Sequence, residues 1–118
     1  MTTYKLIALD LDGTTLNNNH EISLRTLDCL RAISENSDVI VAIATGRSIN
    51  SILPYVDQLQ IKRSIPVICF NGSIGFSALP FGDPEPLFSQ PIDEDLTIEL
   101  LDFAARHSYV AQVGENNS

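Results

Sequence analysis

The sequence predicts an α/β fold over residues 1–72, a parallel sheet covered by helices on both faces, followed by a different, α+β unit over 73–118. Three observations lead there. Residues 4–9, 39–44 and 65–70 are apolar runs without the alternation of a half-wet strand, as expected for strands buried on both faces. The segments between them carry apolar residues at helical spacing, the pattern of right-handed crossovers between parallel strands. Each run also stops at a polar turn: Asp10-Leu11-Asp12-Gly13-Thr14, Thr45-Gly46-Arg47 and Asn71-Gly72.

Taken in chain order, the first strand leads through the Asn17-Asn18-Asn19 loop to Ser23, placed to cap a helix over 24–35. Leu24, Leu27, Leu30 and Ile33 recur on one face of that helix, and Asn36 with Ser37 ends it. After the second strand, Ile49, Ile52, Leu53, Val56 and Leu59 share a face of a second helix, which Pro54 is expected to kink or split. Beyond Gly72 the pattern changes. Residues 73–78 and 86–91 flank a turn rich in Pro, Gly and Asp and read as a hairpin; Asp93 is placed to cap a helix reaching about residue 107; 109–113 reads as a strand before a polar end at 114–118.

Composition narrows the function classes. The chain has 118 residues, 44% hydrophobic and 19% charged, the size and make-up of one ordinary domain. Seven Lys plus Arg against fifteen Asp plus Glu give a net charge of -8, which repels nucleic acid and anionic membrane alike. No apolar stretch approaches the ~20 residues needed to span a bilayer. No signal peptide precedes the first strand, and the two cysteines, Cys29 and Cys69, form no CxxC pair. A cytoplasmic protein with both thiols reduced and buried is the expectation. At this net charge an anionic ligand needs local cations, a metal or backbone N–H groups.

In an open parallel sheet, ligands bind beyond the carboxyl ends of the strands, where all three polar turns fall. In extended backbone residues i and i+2 point the same way, so Asp10 and Asp12 present two carboxylates to one pocket, and Gly13 lets the chain turn after them. Two such neighbours do not titrate independently, which suits a nucleophile or metal ligand beside a general acid. An isolated DxD is as readily a loop cap; here a buried strand precedes it and Gly-Thr follows. Thr45-Gly46, read as opening the second helix, offers a hydroxyl and free N–H groups to a phosphate, although Thr45 also serves as an ordinary N-cap. Arg47, in the first turn of that helix, opposes the helix dipole and hints at an anion above it.

These motifs together, Asp10-Leu11-Asp12-Gly13-Thr14, Ala44-Thr45-Gly46-Arg47 and Phe70-Asn71-Gly72 in that order, resemble the haloacid dehalogenase superfamily of phosphatases, specifically its Cof-type, sugar-phosphatase-like branch. The resemblance covers nearly the whole chain. It implies a Rossmann-like core, present in part over 1–72, and the beginning of an α+β cap domain over 73–118. It implies Asp10 as a nucleophile forming an aspartyl-phosphate, and Asp12 as the acid that protonates the leaving group and later activates water. It further implies a Mg²⁺ cofactor bound by the Asp10 carboxylate and the Asp12 main-chain carbonyl, with Thr45 and the Gly46 N–H holding the phosphate. Arg47, Asn71 and Gly72 would face the substrate and cap, although Asn71-Gly72 is equally a simple turn. The implied partner is a small phosphorylated metabolite.

Members of the superfamily carry a phosphate-neutralising lysine and a further acidic pair after the cap, and neither motif occurs within these 118 residues. Lys5 lies at the far end of the first strand, roughly 16 Å from Asp10 at ~3.3 Å per residue. Lys62 and Arg63 precede the third strand, again at the wrong end. The expectation is therefore the N-terminal part of a phosphohydrolase that is inactive alone. Alternatives are a phosphomutase of the same superfamily, a receiver-like module phosphorylated on Asp10, or a truncated module that binds phosphate or a partner. No G-x-G-x-x-G or GxxxxGK[ST] supports a nucleotide-binding reading.

Overall fold

The computed structural model describes residues 3–114. Five strands, β1 (Leu6–Leu9), β2 (Ile40–Ala44), β3 (Ile65–Cys69), β4 (Ile74–Ala78) and β5 (Glu85–Ser89), form one sheet in that spatial order. The first three are parallel, with Leu9 beside Ile43 and Ala44 beside Ile68, so their carboxyl ends share an edge. The α/β class expected from the apolar runs is what the chain adopts.

Helix α1 (Leu24–Asn36) links β1 to β2, and α2 (Ile49–Leu59) links β2 to β3. Ser23 caps α1 as expected, its side chain accepting the Thr26 N–H. Ile52 and Val56 of α2 are fully enclosed, and with Leu11, Ile43, Ile65, Val67 and Cys69 they form the centre of the core. Pro54 does not split α2, which runs unbroken through it. It stands on the exposed side, where the core neither needs nor notices the missing N–H. Two arginines tie the amino-terminal side of the sheet together: Arg31 donates to the carbonyls of Leu59 and Gln58 at the end of α2, and Arg63 to those of Ser34, Ser37 and Val39 around the end of α1. Cations at helix carboxyl ends answer both the free carbonyls and the dipole.

Several sequence expectations need correction. The hairpin β4–β5 extends the first sheet instead of starting its own, because Phe70, Asn71 and Gly72, all at positive φ, reverse the chain onto the free edge of β3. β1 is shorter than 4–9 and is not a buried strand; Leu6 is 50% exposed, since among the described residues nothing pairs with its outer edge. Cys29 is exposed and only Cys69 is buried. The buried stripe of α1 runs through Leu27, Leu30 and Ser34, and Cys29 lies off it.

Helix α3 (Glu94–Arg106) starts after Asp93, but the Asp93 side chain makes no capping bond. Thr97 instead bonds the Asp93 carbonyl through both its N–H and its hydroxyl. Residues 109–113 form no strand. The Tyr109 N–H closes back on the Ala104 carbonyl at 2.8 Å, and no strand lies beside that segment among the described residues. Of the polar end expected at 114–118, residues 115–118 fall outside those described.

Candidate functional site

The three turns at the carboxyl edge are stitched to one another by backbone bonds. Thr45 donates its N–H to the Ile68 carbonyl, Phe70 to the Arg47 carbonyl and Asn71 to the Thr45 carbonyl, so the ends of β2 and β3 form one rim. A 330 Å³ open pocket lies on that rim, lined by Asp10, Thr45, Gly46, Asn71 and Gly72 together with Ala44 and Ile68. Five of the residues singled out in the sequence are therefore gathered in one place.

Asp10 ends β1 with extended backbone, and its Oδ1 accepts the Leu11 N–H at 2.7 Å. The expectation that extended backbone would send both acids into one pocket needs correction: the chain leaves strand geometry at Leu11, which is buried and opens the turn, so Asp10 lines the pocket and the exposed Asp12 does not. The chain then closes a five-residue turn, Leu11–Thr15, by the Leu16 N–H on the Leu11 carbonyl, with Thr15 bonding the Asp10 carbonyl through its hydroxyl. Gly13 takes φ of 76°, a value that opposes any side chain.

Thr45 is one of the few buried polar side chains. Its Oγ1 accepts the Arg47 N–H at 3.2 Å, which leaves the hydroxyl proton to donate to an anion. It is not an N-cap, however. Helix α2 begins at Ile49 with Ser48 in the cap position, and Arg47 precedes the helix instead of occupying its first turn. A Cβ at Gly46 would stand 2.8 Å from Asn71 Oδ1, so a larger residue there would have to displace the end of the Asn71 side chain.

Asp12 does not line the pocket. Both of its carboxylate oxygens are taken by Arg47, Nε to Oδ2 and one terminal nitrogen to Oδ1, each at 2.7 Å. These hydrogen bonds from Arg47 hold the Asp12 carboxyl below its ordinary range; the charges of Arg47 and His20 add to the effect and desolvation opposes it. The Arg47 guanidinium is correspondingly stabilised in its charged form by Asp12. The Cys69 thiol at the end of β3 is pushed up to about 11 by burial and stays protonated and inert.

His20, Ser51 and Tyr55 also belong to this neighbourhood and were not singled out from the sequence. His20 Nδ1 lies 3.7 Å from Asp12 Oδ1, Ser51 accepts from Arg47, and the Tyr55 ring lies under the guanidinium. The spacing of four from Arg47 to Ser51 to Tyr55 was a usable signal for the last two. No three His, Cys, Asp or Glu side chains converge among the described residues. Among the pocket-lining residues, the carboxylate of Asp10 is the side chain suited to a hard cation. That donor fits Mg²⁺, which keeps several waters and takes one or two carboxylates together with phosphate oxygens.

A family model for haloacid dehalogenase-like hydrolases matches residues 7–118. Phosphatase YwpJ of Bacillus subtilis (strain 168) is 32% identical over 111 residues, covering 92% of this chain and 36% of that protein. The 5-amino-6-(5-phospho-D-ribitylamino)uracil phosphatase YitU of the same organism is also 32% identical over 111 residues, covering 92% of this chain and 39% of its own length. Among solved structures, a haloacid dehalogenase-like hydrolase from B. subtilis superposes with a TM-score of 0.73 at 31% identity, over 88% of this chain and 34% of that one. The chain thus spans well under half the length of the relatives it matches. No helix among the described residues is long and apolar enough to cross a membrane.

Proposed function

The chain belongs to the haloacid dehalogenase-like hydrolase family, and from that membership we propose that it supplies the N-terminal part of a phosphohydrolase acting on small phosphate monoesters. In this reading residues 1–72 are core and 73–118 begin a cap of the Cof type, the β4–β5 hairpin carrying the chain from one toward the other. Two free thiols suit a reducing cytoplasm. The observation that supports the reading most directly is the gathering of Asp10, Thr45 and Gly46 around one pocket at the shared carboxyl edge of β1 and β2.

Asp10 is assigned as nucleophile. One of its oxygens attacks phosphorus, the ester P–O bond breaks, and an aspartyl-phosphate forms while Asp12 delivers a proton to the departing oxygen. In the second step water attacks the aspartyl-phosphate, Asp12 takes the water proton, and inorganic phosphate leaves. The Arg47 pairing favours the Asp12 carboxylate, the form the second step needs, so the proton given up in the first step is one Asp12 has to take up against that pairing. Thr45 and the Gly46 N–H donate to phosphate oxygens, with Asn71 and Gly72 bordering the substrate. When bound, Mg²⁺ would rest on Asp10 and the Asp12 main-chain carbonyl and supply the positive charge that lets a carboxylate approach a phosphate dianion.

Hydrolysis of p-nitrophenyl phosphate and sugar phosphates, with and without Mg²⁺, tests the reading in the 118-residue chain and in a longer protein containing it. The longer protein is expected to turn over in Mg²⁺, and Asp10→Asn to reduce kcat by at least about 10³-fold, as loss of a covalent nucleophile does. The short chain is expected to be slower by at least ~10²-fold, the usual cost of one missing transition-state donor. Undiminished turnover in Asp10→Asn would overturn the assignment.

A further inference from the structure

Arg47, Ser51 and Tyr55 lie four residues apart, a spacing that stacks side chains on one face of α2 and the turn leading into it. The structure uses that stripe as a unit. The guanidinium meets Asp12 through Nε and one terminal nitrogen, each at 2.7 Å, donates from its other terminal nitrogen to Ser51 Oγ at 3.2 Å, and sits 5.4 Å from the centre of the Tyr55 ring. Tyr55 in turn donates its hydroxyl to the His20 carbonyl at 2.8 Å, and His20 Nδ1 returns to 3.7 Å from Asp12. The contacts close a ring that joins the 10–20 loop to a helix 35 residues further along the chain.

We infer that Ser51 and Tyr55 are positioning residues that act through Arg47 to fix the direction of the Asp12 carboxylate, and that Arg47 is thereby committed to Asp12 and not to substrate. An arginine holding a carboxylate in bulk water loses most of the benefit to the freezing of its own long side chain. Here the aromatic face below and the hydroxyl beside it hold the guanidinium plane before the pair forms, and a planar fork meets both carboxylate oxygens only when that plane is set. The Arg47 side chain is 24% exposed against 49% for Asp12, so the fixed partner is the arginine and the guided one the acid. The significance of Asp12 as a proton carrier rests on the phosphohydrolase reading; the positioning itself does not.

The test is side-chain ¹⁵N NMR of the 118-residue chain, following exchange of the Arg47 Nε–H with solvent, with Arg47→Lys used to assign the signal. In the unaltered chain this proton is expected to give a slowly exchanging signal with a cross-peak to Asp12. Tyr55→Leu is expected to abolish the slow signal, Ser51→Ala to weaken it, and Tyr55→Phe, which keeps the ring, to retain it. A signal as slow in both Tyr55→Leu and Ser51→Ala as in the unaltered chain would overturn the inference, and loss in Tyr55→Phe would overturn the role given to the ring. If Tyr55→Leu loses its dispersed amide spectrum, Ser51→Ala and Tyr55→Phe decide. No substrate enters the measurement, so an inactive longer protein, beside the expected signals in the 118-residue chain, would sink the phosphohydrolase reading and leave this inference standing.

Discussion

Helices α2 and α3 are built from much the same kind of sequence and end in opposite circumstances. Both repeat apolar residues at helical spacing, yet α2 encloses Ile52, Val56 and Leu59 completely or nearly so, whereas α3 buries only Ala104 and leaves Leu96, Ile98, Leu100 and Phe103 about half exposed. The difference lies across from each helix. α2 faces the side chains of β2 and β3, with a neighbour for every apolar residue on its stripe; α3 follows the antiparallel hairpin, whose outer strand β5 is exposed along its whole length. An amphipathic pattern is a request for a partner, and only the surroundings determine whether it is met.

The contrast breaks most clearly under truncation. Ile52→Ala is expected to cost about 2–5 kcal/mol, the range for emptying a well-packed site, and Leu100→Ala no more than about 0.5 kcal/mol, read as urea midpoints at constant slope. Equal losses would mean that α3 is packed in solution as α2 is.

A smaller effect separates the ion pairs of the two regions. Because Arg47 lowers the Asp12 carboxyl below its ordinary value of about 3.9, the folded form binds this proton less readily than the unfolded chain. The stabilisation is therefore complete above that ordinary value and is lost as pH falls through the lower folded value. Arg47→Gln should be less stable than the unaltered chain at pH 7, and the gap should close on acidification below about pH 4. A gap that stays constant would assign the loss to packing on Tyr55 instead.

The smallest effect is expected on α3. Arg106 meets Asp102 at 2.8 Å as an exposed pair four residues apart on one helix, and Arg106→Gln should change stability by about 0.3–0.5 kcal/mol, diminishing further in high salt. A change of 1 kcal/mol or more would show that this surface is less open than its exposure indicates.

Much of the site was legible before any coordinates. Apolar runs end where strands end, a parallel sheet brings those ends to one edge, and polar residues there have only solvent or a ligand to face; Asp10, Thr45, Gly46, Asn71 and Gly72 followed from that reasoning and do share a pocket. The start of α2 was misread by a few residues, which put Arg47 inside a helix it precedes and gave Thr45 a capping role that Ser48 holds by position. Helix limits depend on which nearby polar group satisfies the first free N–H groups, and both Thr45 and Ser48 are suitable types. The partner of Arg47 was out of reach for a different reason: nothing in the spacing of residues 12 and 47 indicates that they meet.

Local chemistry thus determined the strand and helix segments, the left-handed turn at Gly13 and the order of the three polar turns, because each depends on residues a few positions apart. Tertiary structure alone decided that β4 joins β3, that β1 is an edge, that Cys29 faces solvent while Cys69 does not, and that Arg47 closes on Asp12 above Tyr55. Those outcomes depend on what stands across from a residue once the sheet has assembled, and the periodicity of a chain says which face of an element is apolar without naming the surface that will cover it.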